Sequence, residues 1–162
     1  MAQNVIGEIN SELQEESTLT NKYLTFALSD ETYGIEIAYV TEIVGVTPIT
    51  FVPEMPHFIK GIINLRGKII PVLDMRLFFN MEPLEYNERT CFIVVEDCGL
   101  MVALAVDFVC EVTVIEDVSE VPEMHTDTQR YMQGIGKMPD GVKLLLDCNM
   151  LLGIKELEQE ET

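Results

Sequence analysis

The chain has no tryptophan, two histidines and ten basic residues against 28 acidic ones in a length of 162. A net charge of −18 makes nucleic acid and anionic membrane surfaces poor partners. No apolar run approaches the roughly 20 residues of a membrane span, so no direct membrane insertion is expected. Met1–Thr20 lacks the basic start and apolar centre of a secretory signal, and the protein is expected to be cytoplasmic. There is no glycine-rich phosphate loop, dinucleotide fingerprint or G-x-S-x-G elbow, so neither a cofactor nor a catalytic nucleophile is expected. The cysteines, Cys91, Cys98, Cys110 and Cys148, form no C-x-x-C pair. Three of them sit in apolar, strand-like surroundings, and core thiols are the expected role. A metal site would require His57 or His125 to join them, and each histidine follows a loop stretch, Pro-Glu-Met or Glu-Met.

What the chain does have is β character in duplicate. Tyr33, Ile35, Ile37 and Tyr39 alternate with Gly34, Glu36 and Ala38, a period of two. Sliding the sequence by 69 positions places Val40 on Val109, Glu42 on Glu111 and Val52-Pro53-Glu54-Met55 on Val121-Pro122-Glu123-Met124. After a four-residue insertion the shift becomes 73, with Gly61 on Gly134 and Leu73-Asp74 on Leu146-Asp147. Each copy holds about five short strands, from Tyr23–Leu28 to Lys68–Leu73 and from Cys91–Val95 to Val142–Leu146. Short strands with frequent turns indicate barrels or sandwiches. Helical turns are expected at Ala38–Thr41 and Asp107–Cys110, and at Asp74–Phe79 and Asp147–Leu152, where an aspartate precedes an apolar turn as an N-cap does. Two copies of about 65 residues would each be marginal alone. Apolar surface buried between them is therefore expected, in an all-β pair of pseudo-symmetric barrels that fold together.

The domains expected are an acidic flexible tail over 1–21, a first barrel over 22–89, a second over 90–154 and an acidic tail over 155–162. Glu8, Glu12, Glu15 and Glu16 lead in, and Glu156, Glu158, Glu160 and Glu161 trail out, so Met1–Ser17 and Glu158–Thr162 are expected to lack stable structure. Without 1–21 and 155–162 the body still carries 20 acidic and nine basic residues, which suits a basic partner patch, though solubility alone accounts for such a charge.

Catalysis has one candidate constellation, the carboxylates of Asp74, Asp107 and Asp147, since paired carboxylates can divide acid and base roles. Capping explains Asp74 and Asp147 without chemistry, and Tyr39 and Phe108 read as core aromatics. Phe58–Arg76 is more informative: two apolar runs flank Asn64-Leu65-Arg66-Gly67, a turn in which the asparagine can bond its own backbone and Gly67 can adopt φ > 0. An arginine in such a turn can project to a partner or pair inward with a carboxylate, and the sequence favours neither.

Tyr-Gly-Ile-Glu-Ile at 33–37, Val-Thr-Glu-Ile at 40–43, Ile-Thr-Phe-Val-Pro at 49–53, Phe-Ile-Lys-Gly at 58–61, Asn-Leu-Arg-Gly at 64–67 and Pro-Val-Leu-Asp-Met-Arg at 71–76 closely resemble the CheW family of bacterial chemotaxis coupling proteins. The resemblance runs from about Lys22 to Lys155. It implies two SH3-like five-stranded β-barrels side by side and a non-enzymatic adaptor that links chemoreceptor tips to the regulatory domain of the histidine kinase CheA. Kinase regulatory domains and CheV proteins carry the same fold fused to other domains, and no such fused domain is expected in these 162 residues. The resemblance implies a receptor site in the groove between the barrels, and kinase contacts on apolar strand edges. Val40, Glu42, Gly61 and Arg66 carry over by motif to the coupling surface. Val109 and Glu111 join them only through the internal repeat. Lys137-Met138-Pro139-Asp140-Gly141 replaces the Asn-Leu-Arg-Gly turn in the second copy, so the role of Arg66 is not doubled there. The other functional class open to the sequence is a small-ligand sensor or enzyme using the cleft between the barrels.

Overall fold

The computed structural model describes residues 6–11, 21–124 and 126–153. A helical turn over residues 6–11 (α1) precedes eleven strands. These are β1 Lys22–Leu28, β2 Glu31–Glu36, β3 Val40–Gly45, β4 Ile59–Leu65, β5 Lys68–Asp74, β6 Cys91–Asp97, β7 Leu100–Val106, β8 Phe108–Val114, β9 Val118–Ser119, β10 Met132–Met138 and β11 Gly141–Leu146. Helix α2, Met75–Phe78, follows β5, and α3, Cys148–Leu152, follows β11. As expected, Asp74 accepts from the Leu77 amide and Asp147 from the Met150 amide, capping the two helices.

The strands form two sheets, ordered β8-β1-β2-β11-β10-β9 and β3-β6-β7-β5-β4. Each wraps towards closure. After β3 the chain crosses to the far edge, where Thr50 and Ile62 of β4 exchange main-chain hydrogen bonds of 2.8 and 2.9 Å. After β8 it does the same, with Ser119 of β9 opposite Ile135 of β10. Thr50 and Ser119 are related by the shift of 69, and Ile62 and Ile135 by the shift of 73. One sheet thus has the expected five strands, and the other counts six because its closing bridge extends into the two-residue β9.

The expected division at 89/90 does not hold. The repeat equates β1-β2 with β6-β7, and these are the hairpins that change places. β1 and β2 lie between β8 and β11 in the sheet of the second copy, while β6 and β7 lie between β3 and β5 in that of the first. The joins are parallel, β2 with β11 and β5 with β7. A parallel join needs a long connection, and the exchange supplies it, so each sheet is completed by the other half of the chain.

Burial follows from this arrangement. β1, β6 and β7 are buried on both faces. The largest cluster, including Leu24, Phe26, Ile35, Ile43, Ile93 and Leu104, draws on both sheets and lies between them. A second, with Phe92, Val94, Ala103, Ile63 and Val72, belongs to one sheet alone, and a third, Tyr23, Ile115 and Leu145, to the other. These two fill the barrels. The interface between the barrels is therefore the main core, in line with the apolar surface expected between the copies.

Three local expectations need correction. The helical turn placed at Ala38–Thr41 is a 3-10 turn over Ile37–Tyr39, and Val40 already belongs to β3. Asp107–Cys110 is not helical, because Asp107 is a single-residue bend and Phe108 and Val109 pair at once with Ala27 and Phe26. The leading tail is not wholly without structure, since α1 seats Ile9 in the main core at 5% exposure. The other residues of the two expected tails lie outside those described, except Asn21.

Candidate functional site

β4 and β5 are joined by two residues, Arg66 and Gly67, with φ of 51° and 88°. Two consecutive positive φ values match the twist of a hairpin, and the Asn64 side chain accepts from the Gly67 amide at 2.8 Å, steadying the turn. Gly67 takes the left-handed position as expected. Arg66 does so as well, which the sequence did not indicate.

That conformation throws the Arg66 side chain sideways, and its Nη2 donates to Oε1 of Glu42 on β3. β3 and the β4-β5 hairpin lie at opposite edges of the five-stranded order, so the ion pair crosses the seam where the barrel closes. Thr50 and Ile62 bridge the same seam through main chain. Arg66 remains 70% exposed and Glu42 23%. The guanidinium is thus anchored at one nitrogen and open to solvent elsewhere, able to hold a local shape and to meet a partner.

Gly61 has a scaffold role within this seam. It is buried on β4 beside a register shift, with φ of 149°. A Cβ there would stand 2.2 Å from the Thr50 carbonyl oxygen, against the strand that closes the barrel. Gly134 is its counterpart beside the matching register shift in β10, where a Cβ would meet Val118 Cγ1 at 2.7 Å and the Ser119 oxygen at 3.1 Å. Two glycines that the repeat aligns thus permit the same closure in both barrels.

Val40 and Val109 are each 8% exposed and belong to the core between the sheets. Each precedes a bulge, with pairing passing from Val40 to Glu42 opposite Val95 and Val94, and from Val109 to Glu111 opposite Phe26 and Thr25. Glu111 is exposed on β8, with its main chain bonded both ways to the Thr25 hydroxyl. The six expected site residues therefore divide by sheet. Glu42, Arg66 and Gly61 share one seam, Val40 underlies it, and Val109 and Glu111 repeat the bulge on the other sheet.

The residues considered for catalysis are bonded elsewhere. Asp74 is 6% exposed and accepts from Tyr86 Oη at 2.7 Å as well as capping α2. Burial and this bond push the Tyr86 hydroxyl far above its ordinary pKa. Asp107 accepts from Arg76 Nε and Nη2, both at 2.7 Å, and from the Ser29 amide. Desolvation raises its carboxyl, but these hydrogen bonds and the guanidinium charge outweigh it and leave a lowered pKa. Asp147 caps α3. Tyr39 lies at the margin of the core rather than inside it, its hydroxyl accepting from Asn149 at 3.1 Å, and Phe108 lies beneath the Arg89 guanidinium, 4.0 Å from the ring centre. Cys91 and Cys148 are buried as expected, whereas Cys98 in the β6-β7 turn and Cys110 on β8 are exposed. Among the described residues, no three His, Cys, Asp or Glu side chains gather as a metal site would require, and no helix is long and apolar enough to cross a membrane.

The two sheets, each wrapped towards closure, are a pair of SH3-like β-barrels with a charged hairpin at one closing seam. The model of the CheW-like domain matches residues 22–156. The chemotaxis protein CheW of Klebsiella aerogenes is 35% identical over 143 residues, 86% of each chain. That of Helicobacter pylori is 31% identical over 141 residues, again 86% of each. The crystal structure of scaffolding protein TtCheW from Thermoanaerobacter tengcongensis superposes with a TM-score of 0.74 at 37% identity, covering 78% of this chain and 88% of that one. The chain belongs to the CheW-like family.

Proposed function

We propose that this protein is a cytoplasmic, non-catalytic chemotaxis adaptor that couples methyl-accepting chemoreceptors to the regulatory domain of the histidine kinase CheA. Family membership supports the adaptor role, and the naming of relatives as chemotaxis and scaffolding proteins supports signalling partners. The observation that carries the site assignment is the Glu42–Arg66 pair, a charged contact across the barrel seam with most of the Arg66 side chain exposed. Val40, Val109 and Gly61 shape the coupling surface from beneath, while Glu42, Arg66 and Glu111 present charge on it. Partners with basic and apolar character fit a chain of net charge −18.

A small-ligand site between the barrels gains no support, because side chains of the main core pack that space. Calorimetry with the cognate kinase regulatory domain, and pull-down with a receptor tip, test the proposal. Binding of both without any added cofactor is expected, and a folded protein that binds neither would overturn it.

A further inference from the structure

The stretch from Met55 to Leu73 contains no aspartate or glutamate, in a chain where 28 of 162 residues are acidic. Three of the ten basic residues, Lys60, Arg66 and Lys68, fall within it, and all three are exposed on the β4-β5 hairpin. Arg66 pairs with Glu42. Lys60 lies 5.7 Å from the centre of the Tyr86 ring, and among the described residues neither Lys60 nor Lys68 forms an ion pair. The matching hairpin of the other barrel is built differently. Ile69 and Val142, related by the shift of 73, are 60% and 52% exposed, so both hairpins present an apolar residue at the same place. Charge is what separates them. In β10-β11 the exposed Asp140 takes the position of Gly67 and pairs with Lys143 at 3.1 Å, so that turn carries its own counter-charge.

We propose that the tip of the β4-β5 hairpin docks a short acidic segment of a partner protein, whose carboxylates meet Lys68 and Arg66, and that this contact lets the partner tell the first barrel from the second. The inference rests on the adaptor reading and adds the chemistry of the partner's side. The net charge of −18 favours basic surfaces over the body as a whole. Salt, however, confines each charge to a range of about 8 Å, so a segment seated on the tip meets the local positive charge. Arg66 keeps 70% of its side chain exposed beside Glu42, and Lys68 stands two residues on with no counter-charge of its own. A nucleic acid or a lipid surface is too extended to touch the tip alone and would bring its phosphates against the acidic body. A second copy of the chain would bring a further charge of −18 with it. A short acidic segment of another protein carries neither penalty.

Carbodiimide coupling, which joins a lysine amine to a carboxylate it touches, tests this on the full chain mixed with a kinase regulatory domain or a receptor-tip fragment. Lys68 is expected to couple to an aspartate or glutamate of one of the two, and Lys137 of the second barrel to neither. Calorimetry with that partner is expected to show binding weakened about three-fold in Lys68→Gln, about ten-fold or more in Lys68→Glu, and less than about two-fold in Lys137→Glu. If a partner binds the parent and Lys68→Glu equally well, or if Lys137 couples and Lys68 does not, the acidic contact is overturned and the adaptor reading stands. If neither partner binds the folded parent, both readings fall. Coupling of Lys68 only to a second copy of this chain would reassign the hairpin and overturn the inference. So would binding of anionic vesicles or single-stranded DNA by the parent that Lys68→Glu abolishes.

Discussion

Glu42 and Arg66 stand at opposite edges of one sheet, and their ion pair crosses the line along which that sheet closes on itself. A partner bound at the proposed site would meet the closure as well as the charge. The pair also answers the choice the sequence left open for Arg66, because the side chain pairs with a carboxylate and still offers most of its surface outward.

Arg66→Ala is expected to lower stability by less than about 1 kcal/mol, the scale of an exposed ion pair. It should weaken kinase or receptor binding by about 2 kcal/mol or more, some thirty-fold. Melts and calorimetry on Arg66→Ala, Glu42→Gln and the charge-swapped double variant separate two roles. If Arg66 touches the partner, Glu42→Gln costs less than Arg66→Ala and the swap does not restore binding. Full rescue by the swap would make the pair an internal strut.

The two aligned glycines should differ in cost. Gly61→Ala sets a methyl against the Thr50 carbonyl and adds an unfavourable φ of 149°, so a loss of about 3 kcal/mol or more is expected. At Gly134 the nearest atom belongs to the Val118 side chain, which can move, and the loss should be clearly smaller. Equal melting of the two variants would contradict the closure argument.

Asp107→Asn leaves the Arg76 guanidinium, with its side chain 16% exposed, without its carboxylate. The expected cost is about 2 kcal/mol or more at neutral pH. The folded-state pKa of Asp107 is lowered, so its stabilisation is present above the ordinary carboxyl value and is lost as pH falls through the lowered one. Below pH 3.8, the ordinary value, stability should therefore fall less steeply in Asp107→Asn than in the parent, measured by denaturant unfolding across that range.

A thiol reagent should modify two cysteines in the native protein, Cys98 and Cys110, and the buried pair only on unfolding. Cys98 should react first. Desolvation, only partly offset by the Lys143 and Arg89 charges, raises the Cys110 thiol, reducing its thiolate fraction. Mass spectrometry of partly modified protein gives the order.

The exchanged hairpins make a separate test. Residues 22–89 lack β6 and β7, and residues 90–154 lack β1 and β2, so neither fragment can complete its sheet. Each is expected to be unfolded alone by circular dichroism, with strand signal returning when the two are mixed. A cooperative melt from either fragment alone would be the contrary result.

The sequence by itself determined what is local or periodic: the positions of the longer strands, the capping aspartates Asp74 and Asp147, and the hairpin at Asn64–Gly67. It also determined the duplication, and the repeat alignment paired Gly61 with Gly134, which the structure places at matching register shifts. These are legible because alternation, N-caps and turn residues act over a few positions. The tertiary structure decided which hairpin joins which sheet, since a strand buried on both faces, such as Phe92–Val95, carries no mark of its neighbour. It also decided the partner of Arg66, 24 residues away. The same holds for Asp107, which a distant arginine holds as a bend, and for Asn10, whose amide finds the Ile43 main chain 33 residues on. Such contacts depend on where the barrels close, and closure is settled only when both halves of the chain have exchanged their first hairpins.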